Sequence, residues 1–333
     1  MRHLLQVAAF AVIAAPLAAQ ATKPLDPAVV KGAETITKED VAKRIGIVAD
    51  DSMMGRDTPS PGLEKTAQYV ADQFKKFGLK PGGDNGTYIQ RYPLPSDDSQ
   101  KGPNTVGILE GSDPKLKNEY IVVSGHMDHI GISSGQPDSI NNGADDDASG
   151  SMGVVELAEA FSQPGARPRR SMIFLTVSGE EKGLWGSSYF SENPVVPIKQ
   201  IVADLNIDMV GRNWKDTVVA IGKEHSDLGA TLNRVAKAHP ELNMAPIDDI
   251  WPEESFYTRS DHFNFAKHGV PILFFFNGVH EDYHQVSDSP DKIDAEKESR
   301  ILRLIYYLGQ EVGNADEKPK WNPDSYKQIV KQP

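Results

Sequence analysis

The sequence predicts an α/β fold, with a mixed, mostly parallel central sheet and helices on both faces. Three observations lead there. Short apolar runs alternate with amphipathic stretches across residues 120–312, the pattern of strands joined by crossover helices. The runs at 120–123, Ser171–Val177 and 201–209 are close to continuous in Val, Ile, Leu and Phe, as in strands buried on two faces. Acids and histidines gather just past these runs, at the strand-end edge where open α/β sheets bind ligands.

Taken in order, residues 1–21 read as a signal peptide. Arg2 and His3 precede an apolar run at 4–17, and Ala19-Gln20-Ala21 has the small-x-small form of a cleavage site. The chain is therefore expected to be exported, to a periplasm or the medium. No later segment approaches spanning length, so stable membrane insertion is not expected. Residues 22–35 read as a flexible leader, 36–315 as a single domain, and 316–333 as a loosely ordered polar tail. Thr37 caps a helix running to about residue 49, with Asp40 in the capping-box position. Residues 63–77 form an amphipathic helix with Ala67, Val70, Ala71, Phe74 and Phe77 on one side, stopped by Gly78. Helices are also expected at 148–161, 186–190, 227–239 and 301–312, and a strand at 271–276.

Composition narrows the chemistry. The chain of 333 residues has no cysteine, which rules out a disulfide framework and leaves any zinc site to His, Asp and Glu. A net charge of −12 argues against nucleic acid or an anionic membrane as partner.

The polar clusters at the strand ends carry that chemistry. His126 follows the first strand, and Asp128 two residues on is placed to orient its ring. Glu180 and Glu181 follow an apolar strand, a costly place for two carboxylates without a partner. Asp208 ends the next strand, and His284 follows the last. Asp145-Asp146-Asp147 would repel one another without a cation, and Asp147 suits a helix cap. Nitrogen and carboxylate ligands without thiolate suit zinc, cobalt or manganese in a hydrolytic two-metal site.

Six segments in order resemble peptidase family M28, across residues 55–312. They are Gly125-His126-Met127-Asp128-His129, Gly143-Ala144-Asp145-Asp146-Asp147-Ala148-Ser149-Gly150, Ser178-Gly179-Glu180-Glu181-Lys182-Gly183-Leu184, Ile207-Asp208-Met209, Arg259-Ser260-Asp261-His262 and Tyr283-His284. The resemblance implies a zinc-exopeptidase, phosphorylase/hydrolase-like fold and two Zn²⁺ per chain, with Co²⁺ or Mn²⁺ as possible substitutes. It places His126 and Asp208 on one metal, Glu181 and His284 on the other, and Asp146 across both. It implies an aminopeptidase that cleaves the N-terminal bond of peptides through a metal-bridged water, with Glu180 as general base. Asp128 becomes the partner of His126. Tyr283 or Tyr257 serves the oxyanion, and Arg259 and Asp261 lie near substrate. Within about a dozen residues of 104–108 the next strand begins, leaving no room for the protease-associated insert some members carry. A carboxypeptidase or dipeptidase of this fold, a single-zinc glutaminyl cyclase and a non-catalytic receptor are the alternative readings. Phe256, Trp251, Phe263 and Phe276 are the candidates to line a specificity pocket.

Overall fold

The computed structural model describes residues 26–135 and 137–330. The expected signal peptide, 1–21, and residues 22–25 of the leader fall outside that range. In chain order the elements are α1 (Pro27–Glu34), α2 (Lys38–Val48), α3 (Pro61–Lys76), β1 (Lys80–Pro81), β2 (Ile89–Leu94), β3 (Asp97–Leu109), β4 (Tyr120–His126), α4 (Gly150–Ser162), β5 (Ser171–Val177), α5 (Trp185–Glu192), β6 (Ile201–Asp208), β7 (Thr217–Ile221), α6 (Leu228–Ala238), β8 (Ala245–Ile247), α7 (His262–Ala266), β9 (Ile272–Phe276), α8 (Ala295–Asn314) and α9 (Pro323–Ile329). Short 3-10 turns join several of them.

The strands form one mixed sheet in the order β1-β3-β5-β4-β6-β9-β7-β8, with β2 paired to β3. Its centre, β5-β4-β6-β9, is parallel. Antiparallel β3 and β7 flank that centre. Every residue of β5, β6 and β9 is buried, because helices cover both faces. One apolar layer packs α1, α2, α4, α6 and α8 through Ala33, Val41, Met152, Leu232 and Ile305. The other packs α5 and α7 through Phe190 and Phe265. Only the short turn Leu116–Asn118 separates β3 from β4, so no extra domain is inserted there.

Helix starts follow local side-chain chemistry. Thr37 Oγ1 accepts from Asp40 N at 3.1 Å and donates to Asp40 Oδ2 at 2.9 Å. Ser60 caps α3 ahead of Pro61, and Asp294 caps α8 through Lys297 N at 3.0 Å.

Two expectations at the ends of the domain are corrected. The leader is not all flexible: residues 27–34 form α1, capped by Asp26, with Gly32 and Ala33 buried. Apolar burial of Ala33 and Val29 against the core draws it in, with Gly32 close against Tyr306 and the α4 carbonyl of Ala160. Nor is the tail loose throughout. Trp321 bridges Ser226, and its indole Nε1 donates to Gly269 O at 2.9 Å. α9 follows it. No described helix is long and apolar enough to cross a membrane.

Candidate active site

Parallel register brings the polar strand ends level. His126, the last residue of β4, pairs in register with Val177 at the end of β5. Asp208, the last of β6, pairs with Phe276 at the end of β9. Glu180 and Glu181 lie just beyond β5, His284 beyond β9, and Asp146 in the turn Ala144–Ser149 that leads into α4.

These residues converge. His126 Nε2 lies 3.4 Å from Asp146 Oδ1 and 3.7 Å from Asp208 Oδ1. His284 Nε2 lies 3.1 Å from both Asp146 Oδ2 and Glu181 Oε2. The Asp146 carboxylate thus faces one pair with each oxygen. With zinc bonds of about 2.0–2.2 Å, neighbouring tetrahedral ligand atoms stand roughly 3.3–3.6 Å apart. Asp146 Oδ2 and His284 Nε2 are buried without a hydrogen-bond partner, as expected of atoms reserved for a cation. The nitrogen and carboxylate donor set suits zinc, and the separations of 3.1–3.7 Å bracket that spacing.

Charge is concentrated to match. Burial alone would raise the Asp146 carboxyl, but His129, His126 and His284 hold it well below the usual carboxylate range. Burial disfavours charge on His284, yet the Asp146 and Glu181 carboxylates lift it to about 10. A dication meets the same carboxylates in place of those protons. Glu180 and Glu181 diverge. Burial, with Asp261, Asp208 and Glu181 nearby, pushes Glu180 well above its ordinary value despite His126. Glu181 sits lower than usual: burial and Asp146 oppose ionisation, but the adjacent imidazoles of His129 and His284 outweigh them.

The surrounding shell differs in part from expectation. His126 Nδ1 lies 3.2 Å from the main-chain carbonyl of Asp128 and 3.6 Å from its carboxylate. The carboxylate of Asp128 instead accepts from Thr58 Oγ1 at 3.0 Å and Glu180 N at 3.3 Å. It therefore orients the Glu180 loop as much as the ring. Ser260 donates to Asp208 Oδ2 at 2.9 Å. Asp147 accepts from Gly150 N, Met209 N and His126 N at 2.8, 3.2 and 3.1 Å. It caps α4 and ties it to two strand ends. Asp145, given no role from sequence, accepts from Gly211 N at 2.6 Å and meets His280 Nε2 at 3.1 Å.

His129 was missed. It is fully buried, with Nδ1 at 2.9 Å from Glu181 Oε1 and 3.6 Å from Asp146 Oδ2. Its place three residues after His126 was the available signal.

A small cleft opens over this centre, lined by His126, Asp146, Glu180, Glu181 and Asp208 on the polar side. Tyr283, Arg259, Met209, Val279 and the rings of Phe256, Phe274 and Phe276 also line it. The guanidinium of Arg259 sits 4.7 Å over Phe256 and pairs with Glu254 at 3.3 Å. Tyr257 does not line the cleft: its ring packs against His225 and Phe263, and its hydroxyl is buried without a partner. Asp261 is wholly buried behind the cleft, so it is not a substrate contact. Phe263 packs on Tyr257 and not on the cleft, whereas Trp251 backs Phe256 and Phe276 with ring centroids 5.7 and 5.8 Å away.

Fold and site define an α/β protein of the zinc-exopeptidase type, with histidine and carboxylate side chains gathered at one edge of the sheet. The model of "Peptidase family M28" matches residues 104–309, and the chain belongs to that family. A probable leucine aminopeptidase of Arthroderma otae is 28% identical over 65% of this chain and 59% of its own length. The chain spans only part of the curated relatives it matches, from 59% of this one to 32% of a probable zinc metalloprotease of Pyrenophora teres f. teres. BSAP, a zinc aminopeptidase from Bacillus subtilis, shares the fold at a TM-score of 0.69 and 14% identity, covering 85% of this chain and 96% of that one. Porphyromonas gingivalis glutaminyl cyclase shares it at a TM-score of 0.63 and 16% identity, covering 83% and 99%.

Proposed function

We propose that the protein is an exported di-zinc aminopeptidase. The observation that supports this most is the Asp146 carboxylate, which presents one oxygen to His126 and Asp208 and the other to Glu181 and His284. Two bound zinc ions would lower the pKa of a water toward ~7 and polarise the scissile carbonyl. Glu180 lines the cleft, and its carboxyl is biased toward proton uptake. It takes the proton of the attacking water and passes it to the leaving amine. Tyr283, which faces the cleft while Tyr257 does not, donates to the developing oxyanion. The acidic side of the cleft attracts a free α-ammonium, and the wall of Phe256, Phe276, Val279 and Met209 takes a bulky apolar side chain.

Leucyl anilide, its N-acetyl derivative and a C-terminally amidated peptide test this together. Chelation should abolish cleavage of the first, and zinc should restore it. The acetylated anilide should stay intact, and the amidated peptide should lose its first residue. Cleavage only from a free carboxyl end would replace the aminopeptidase reading with a carboxypeptidase one. A single zinc per chain, with cyclisation of N-terminal glutamine, would favour the cyclase reading suggested by the Porphyromonas neighbour. Export is tested by N-terminal sequencing of the protein from culture fractions: a mature chain starting near residue 22 is expected, and retention in the cytoplasm with an intact start would refute it.

A further inference from the structure

Two charged residues outside the ligand set hold the turn that carries Asp146. Arg56 is fully buried, yet its guanidinium bonds four main-chain carbonyls. Nε donates to Met127 O at 3.0 Å, Nη1 to Val48 O at 2.9 Å and to Asn142 O at 2.6 Å, and Nη2 to Gly143 O at 2.9 Å. Met127 directly follows the ligand His126, and Gly143 opens the turn to Asp146. One planar fork therefore ties the end of β4 to the start of the turn.

Asp288 holds the same turn from the other side. It too is fully buried. Its carboxylate accepts from Asp145 N at 3.1 and 3.0 Å and from Asp146 N at 3.1 Å. Its own carbonyl accepts from Ala144 N at 3.1 Å. Asp288 lies four residues after His284, so it couples the loop of that ligand to the backbone of the bridging one. Carbonyls at 142 and 143 point to a cation, and amides at 145 and 146 point to an anion. The turn's peptide dipoles are thus aligned between fixed opposite charges.

We propose that Arg56 and Asp288 are positioning residues that preset the Asp146 carboxylate between the two ligand pairs before any metal binds. The proposal rests on the reading of Asp146 as a bridging ligand. Both residues act on main chain, so their work is geometric. A lysine cannot span four carbonyls as a fork does. An asparagine at 288 offers one acceptor where the carboxylate offers two and would turn N–H groups toward the turn's amides. Residues that orient ligands typically change metal affinity by about 10–100-fold when altered.

The test titrates zinc into the metal-free full chain against a chromophoric chelator, for the parent, Arg56→Lys and Asp288→Asn. Both variants should bind both zinc ions about 10–100-fold more weakly. Arg170→Lys is the control. Arg170 is equally buried and also bonds main-chain carbonyls, at Val312 and Ala315, far from the turn. It should lose melting temperature and keep parental zinc affinity. Native mass spectrometry counts zinc on the compact charge states alone, so a partly unfolded variant still gives a reading. Parental affinity in the folded fraction of Arg56→Lys or Asp288→Asn overturns the assignment for that residue. Equal loss in Arg170→Lys overturns it for both. A parent that binds fewer than two zinc ions refutes the di-zinc reading itself, a separate failure.

Discussion

Glu180 and Glu181 are neighbours in sequence with divergent chemistry: burial and nearby acids outweigh His126 at Glu180, whereas the imidazoles of His129 and His284 outweigh burial and Asp146 at Glu181. Environments that push two carboxylates apart are how one site holds both a proton carrier and a ligand. Glu180→Gln should keep both metals and lower kcat by about 10²–10⁴-fold; full activity with bound zinc would remove Glu180 as base. Tyr283→Phe should cost about 10²–10³-fold in kcat, while Tyr257→Phe, buried away from the cleft, should leave it near the parent. Asp261 gives a pH signature. Burial, reinforced by Asp128 and Asp208 against His126, raises its carboxyl from 3.8 to about 7. Between those values the folded chain keeps a proton that the unfolded chain releases, so stability falls as pH rises through the window. In metal-free protein, the melting temperature of Asp261→Asn should gain on the parent from about pH 5 to about pH 8. A constant difference would mean that Asp261 does not hold the proton. At this scale His126, Glu180, Glu181 and Asp208 were legible as candidates because each stands at or just past a strand end, whereas Asp146 and His284 lie on longer loops. Asp288 and Arg56 were not legible, since the partners of their side chains, Val48 aside, are main-chain atoms 71–143 residues away and only the folded turn shows them.

At the scale of elements, legibility followed burial. β4, β5 and β6 announce themselves because strands covered on two faces need unbroken apolar runs. The outer half of β3 is exposed and charged at Asp97 and Lys101, so no run marked it, and β7 and β8 are only five and three residues long. α1 was hidden for another reason. Eight residues are too few for a period to register, and such a helix is stable only through packing. That packing is tight: a Cβ on Gly32 would stand 2.2 Å from Tyr306 Oη and 2.9 Å from Ala160 O. Gly32→Ala should therefore destabilise the fold by about 1–3 kcal/mol through overpacking, despite alanine's better helix propensity. Calorimetry of the two chains decides it. A rise in melting temperature would mean that α1 is not docked as described.

For the whole molecule, the decisive imbalance is electrostatic. A chain of net charge −12 gathers Asp146, Glu180, Glu181 and Asp208 at one sheet edge, all buried or nearly so. Folding without metal brings these acids together with imidazoles and the buried Arg56 guanidinium to offset them. On the proposed reading, zinc would bind the assembled site far better than the unfolded chain and so shift the folding equilibrium by mass action. At a free concentration of about a thousand times Kd, one site contributes about 4 kcal/mol. Chelation should then lower the melting temperature by several degrees, and zinc should return it. Salt separates this from general self-repulsion. Charges at the surface are screened within about 10 Å at 0.1 M ionic strength, whereas buried groups are screened much less. Raising sodium chloride should relieve repulsion among surface acids in both forms alike and leave the gap between metal-free and zinc-loaded protein nearly unchanged. If salt closed that gap, zinc would be acting as a diffuse counterion, and the Asp146-centred site would not be where it binds.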